Sequence, residues 1–136
     1  MTRDKILRAV AAIVGSGIST SAGLGVILLL AAAPTSGPID WSIALSKGFE
    51  FGLVVGLLAC FMPHKYQTVQ SYLACGVSFF IVTAALLALF GPADAKFFNL
   101  AGIFGIFLTS CFGAFISGTG YQTGAELAES LINRKR

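Results

Sequence analysis

Lys47 and Glu50 are the charged couple set inside the apolar run WSIALSKGFEFGLVVGLLACFMPH, from Trp41 to His64. At positions i and i+3 of a helix they share a face and can form an ion pair. Glu50 lies nine residues beyond Trp41, about 14 Å deeper by helical rise, near the middle of a bilayer. An ionisable group at that depth is costly and is usually kept for a purpose. One chemistry is a proton or cation site, with Glu50 facing a cavity. The other is assembly, in which Lys47 and Glu50 neutralise one another or pair with a neighbouring helix. The sequence weighs these two evenly.

The remaining reactive residues lack company. His64 is the single histidine and sits between Pro63 and Lys65; without a carboxylate or thiolate set it makes no metal site, and it reads as an interfacial polar residue. The three cysteines, Cys60, Cys75 and Cys111, all fall within apolar runs and read as small packing residues, with no CxxC spacing. Ser19, Thr20 and Ser21 have no histidine or carboxylate nearby to activate a nucleophile, which favours hydrogen bonding between helices. The surrounding string IVGSGISTSAGLG, from Ile13 to Gly25, resembles the glycine-rich nucleotide loop of sirtuin deacylases. The Pro-Asp-Phe-Arg continuation is absent, however, and Val26 to Leu30 continue as an apolar run. A phosphate loop also needs a βαβ unit around it. The glycines read better as a packing stripe. No enzyme, cofactor or metal is expected.

The elements that would position these residues are membrane helices. The chain of 136 residues is 56% hydrophobic and 11% charged, with mean hydropathy +0.85, beyond the mix of a soluble domain. Four apolar stretches, approximately residues 9–33, 41–62, 69–90 and 97–116, are long enough to span a bilayer. The first is too long for the core of a signal peptide. Turn-rich segments separate them: Pro34 to Asp40, Pro63 to Gln67, and Gly91 to Lys96. Asp40 and Asp94 are placed to cap the second and fourth helices. SGTGYQTG, from Ser117 to Gly124, is glycine-rich enough to stop the fourth helix. Residues 125–136 then read as a short amphipathic tail on the membrane surface, with Leu127, Leu131 and Ile132 on one face and Glu126 and Glu129 on another. Tyr121 and Gln122, in the glycine-rich segment, suit contact with a partner or with lipid headgroups.

Small residues recur at every fourth position in several of these helices. The first carries Ala11, Gly15, Ser19 and Gly23, with Gly17, Ser21 and Gly25 beside them. The second carries Ala44, Gly48, Gly52, Gly56 and Cys60, and the fourth Ala101, Gly105, Thr109, Gly113 and Ser117. Such stripes let helix backbones approach closely in lipid. The basic residues do not mark a nucleic-acid surface. Of the nine Lys and Arg, Arg3, Lys5, Arg8, Lys65, Arg134, Lys135 and Arg136 lie at the chain ends and the central turn. The positive-inside rule then puts both termini in the cytoplasm. Gly37-Pro38-Ile39-Asp40 recurs as Gly91-Pro92-Ala93-Asp94, as two similarly oriented helical hairpins would require, although Gly, Pro and Asp are what any turn into a helix selects.

The expected fold is therefore an all-α membrane protein of four spanning helices arranged as two hairpins in a single polytopic domain, with a bacterial inner membrane as its setting. The expected function is a non-enzymatic subunit that self-associates or docks with other membrane subunits through its small stripes. The alternative is a small oligomeric channel or a proton- or cation-coupled transporter using Glu50.

Overall fold

A computed structural model describes residues 3–32, 40–62, 67–91 and 99–134. These form four α-helices: α1 (Arg3–Ala32), α2 (Trp41–Phe61), α3 (Thr68–Phe90) and α4 (Leu100–Asn133). Each is long and apolar enough to cross a membrane, so the chain reads as an integral membrane protein. His64, Lys65, Asp94, Lys96 and the segments joining the helices lie outside the described residues.

The helix starts follow local chemistry. Asp40 caps α2, its carboxylate accepting from the amides of Ser42 at 3.1 Å and Ile43 at 3.2 Å, which satisfies donors that have no partner inside the helix. At α4 the cap is Asn99, accepting from Gly102 N at 2.8 Å. That corrects the expectation of Asp94 as the cap. α1 opens at Arg3 rather than near residue 9, taking its charged first turns into the helix.

A second correction concerns the chain end. α4 runs unbroken for 34 residues, about 51 Å, and includes both the glycine-rich segment and what was expected to be a separate tail. The glycines do not break the helix because they face neighbouring helices. A Cβ at Gly120 would fall on the carbonyl oxygen of Gly15, and one at Gly124 on that of Ala11. Packing against α1 and α3 therefore offsets the roughly 1 kcal/mol by which each glycine weakens an isolated helix. Tyr121, rather than meeting lipid or a partner, is fully buried. Leu127 and Leu131 do lie on the outer surface, while Ala125 and Ala128 turn inward.

α1 and α4 carry most of the packing. α1 lies antiparallel to α2 on one side and to α4 on the other; α4 in turn packs against α3, and α2 touches α3 more lightly. The core is sparse and, apart from Tyr121, made of small side chains: Ala12, Val55, Ala59, Ala74, Cys75 and Ala125. It sits in the half of the bundle that holds the N-terminal turns of α1 and the C-terminal turns of α4. The outside is sheathed in large apolar residues, with Phe61 80%, Phe90 81% and Leu100 87% exposed. Such a surface would be an aggregation hazard in water and is ordinary against hydrocarbon.

Candidate functional site

The small stripes occupy different faces and serve different neighbours. Gly17, Ser21 and Gly25 of α1 meet α2: a Cβ at Gly17 would lie 2.9 Å from the ring of Phe49, and one at Gly25 3.2 Å from Leu45. The α2 ladder answers directly. Cβ atoms at Gly48, Gly52 and Gly56 would come within 3.1 Å of Ser21, 2.6 Å of Ser16 and 3.0 Å of Ser16. Hydrogen bonds cross the same interface, with Ser16 Oγ donating to the Gly52 carbonyl at 2.9 Å and Ser21 Oγ to the Leu45 carbonyl at 2.8 Å. Each takes a hydroxyl from one helix to the backbone of the next, which only small intervening residues permit. Between helices in lipid such a bond is worth about 0.6 kcal/mol on average.

The second α1 stripe meets α4. Gly15 abuts Gly120, Gly23 abuts Ile116, and Ser19 Oγ donates to the Ile116 carbonyl at 2.5 Å. The partners here, Ile116, Gly120 and Gly124, are not the α4 ladder read from the sequence. That ladder divides. Gly113 packs beneath the ring of Phe79 of α3, and Ser117 is fully buried. At its other end Ala101 and Thr109 are exposed, and a Cβ at Gly105 would meet nothing within 4 Å. Ala101, Gly105 and Thr109 lie on a face of α4 that turns outward, while Ile106 and Ser110 beside them are buried.

Lys47 and Glu50 do pair, Nζ to Oε2 at 2.7 Å. The pair stands on the outside of the bundle, with the two side chains 69% and 56% exposed. A second ion pair, Arg8 with Glu129 at 3.1 Å, joins the first turns of α1 to the last turns of α4. Glu50 thus faces away from the polar groups in the bundle interior.

Those interior groups include a row on α3 that belongs to none of the small-residue stripes. Ser71, Cys75 and Ser78 lie on one face of α3 and are buried, as are Ser16 and Ser117 from the neighbouring helices. Tyr121 Oη is 3.1 Å from Cys60 Sγ. Ser117 Oγ donates to the Gly113 carbonyl one turn earlier in its own helix. The hydroxyls of Thr20, Ser71 and Ser78 have no hydrogen-bond partner among the described residues. The signal was present in the sequence as Ser, Cys and Ser at i, i+4 and i+7 of an otherwise apolar span, the spacing of one helix face. All these groups are uncharged. They contribute packing and hydrogen bonds but provide no nucleophile with an adjacent base. No protein-family model, no curated protein and no solved structure matches this chain.

Proposed function

We propose that this protein is a small, non-enzymatic subunit of a larger membrane assembly, and that the Lys47 and Glu50 flank of α2 is a contact face. One observation carries this reading: an ion pair at membrane depth is turned outward rather than into the bundle. A charged side chain at the centre of a spanning helix costs about 2.5–3.5 kcal/mol on insertion scales. Mutual pairing relieves part of that cost. It leaves most of the Glu50 carboxylate's lone pairs without partners in hydrocarbon. A second protein surface, either another copy or a different membrane subunit, would supply them. The outward face of α4 around Gly105 offers a further smooth surface for such contact. The distribution of Lys and Arg supports a bacterial inner membrane with both termini cytoplasmic.

Replacing Glu50 tests this reading. Glu50→Gln should dissociate the native assembly seen after mild-detergent extraction and crosslinking, while the isolated chain keeps its helical circular dichroism. A proton or cation pathway would instead require flux in proteoliposomes that Glu50→Gln abolishes with assembly intact. That outcome would overturn the subunit reading.

A further inference from the structure

The bundle is closed in one half and open in the other. Where α1 ends and α2 begins, α2 stands apart from α4 and leaves a groove of about 330 Å³. Its walls include Leu24 of α1, Phe51 of α2, Phe79 of α3, and Thr109 and Phe112 of α4. Phe51 and Phe79 meet edge to face, with centroids 4.8 Å apart. The groove is almost wholly apolar, and Lys47 is the charged residue lining it; Glu50 does not.

Chemistry selects the occupant. The lining is almost wholly apolar, which a hydrocarbon chain matches. Lys47 adds a charge requirement. It lies six residues beyond Trp41, about 9 Å deeper by rise, and its flexible stem lets the ammonium reach back toward the headgroup level. Glu50 takes one of its three donors, which leaves two for an anionic oxygen. We propose that this groove is a lipid site holding one acyl chain of an anionic phospholipid, with the lipid phosphate at Lys47. A second groove of about 320 Å³ between α3 and α4 is lined by Tyr72, Phe80 and Phe107 among others and has no charged residue. It lacks the feature that would choose a headgroup.

The inference stands apart from the assembly reading, which turns on Glu50. Its test is native mass spectrometry of the full chain released from nanodiscs of equal phosphatidylglycerol and phosphatidylcholine. The wild type should retain phosphatidylglycerol preferentially. Lys47→Gln should lower that preference about fivefold, as expected for one cation near a lipid phosphate. Thr109→Trp, at an exposed wall position, should fill the groove and reduce retention of both lipids. Equal retention of the two lipids by the wild type overturns the proposal, as does unchanged selectivity in Lys47→Gln. If Thr109→Trp unfolds, Lys47→Gln still decides, since its side chain lies on the surface. Loss of assembly in Glu50→Gln with lipid selectivity unchanged would leave this site standing.

Discussion

At the residue scale, what matters is which atoms a small side chain lets through. Gly120 and Gly15 bring two helix backbones into contact, and a side chain on either would strike a carbonyl oxygen of the other helix. Gly120→Leu should therefore separate α1 from α4 and destabilise the chain by more than about 3 kcal/mol, since backbone has less freedom than side chains to relieve overpacking. Gly105→Leu is the matched control. With nothing within 4 Å of its Cβ position, it should leave the thermal unfolding midpoint in detergent unchanged or slightly raised, leucine being the better helix former. Hydroxyls divide in the same way. Ser16→Ala deletes a bond to the Gly52 carbonyl and should cost about 0.6 kcal/mol. Ser78→Ala removes an oxygen that has no partner among the described residues and should be neutral or mildly stabilising. Denaturation of both variants in the same detergent compares them directly, and a larger loss in Ser78→Ala would show that its hydroxyl has an essential partner.

At the element scale, the helices differ in how much of their length is packed. α2 and α3 have 21 and 23 residues, against 30 for α1 and 34 for α4. The longer pair projects beyond the shorter pair, where Arg8 and Glu129 tie α1 to α4. With Glu129 54% exposed, that bridge is screened, and Arg8→Ala should cost less than about 1 kcal/mol. A larger loss in the unfolding midpoint would mean that the pair lies in a drier setting. The continuity of α4 has a sharper consequence. Because Tyr121 is fully buried and Ala125 and Ala128 nearly so, truncation at residue 117 should unfold the bundle. A freely attached surface tail would be lost without that effect, and limited proteolysis separates the two outcomes. The spans and the Asp40 cap were legible because hydropathy and capping are local properties. The course of the chain after Ser117 was not legible, since glycine weakens an isolated helix yet is required where two helices touch.

At the scale of the whole molecule, the bundle is tight where small residues from α1, α2 and α4 meet, and open where α2 leaves α4. In lipid the hydrophobic effect does little to draw helices together, because the tails are as apolar as leucine. Cohesion comes from close approach and hydrogen bonds, so the half rich in glycine, alanine and serine closes while the half carrying Phe79, Phe104 and Phe112 does not. The outward ion pair and the groove beside it lie in this open half, and both proposals concern what fills it. By itself the sequence determined that the chain is all helical, that four stretches can cross a membrane, that small residues line the facing sides of α1 and α2, and that Lys47 and Glu50 share a face and can pair. These follow from composition and from the helical repeat, which act within a few turns. The tertiary structure alone decided which stripe meets which helix, that α1 and α4 carry most of the packing, that Gly105 faces open space, and that the ion pair faces out. Those outcomes depend on the angular position of each face relative to helices distant in sequence, and helical periodicity says which residues share a face without saying what that face will meet.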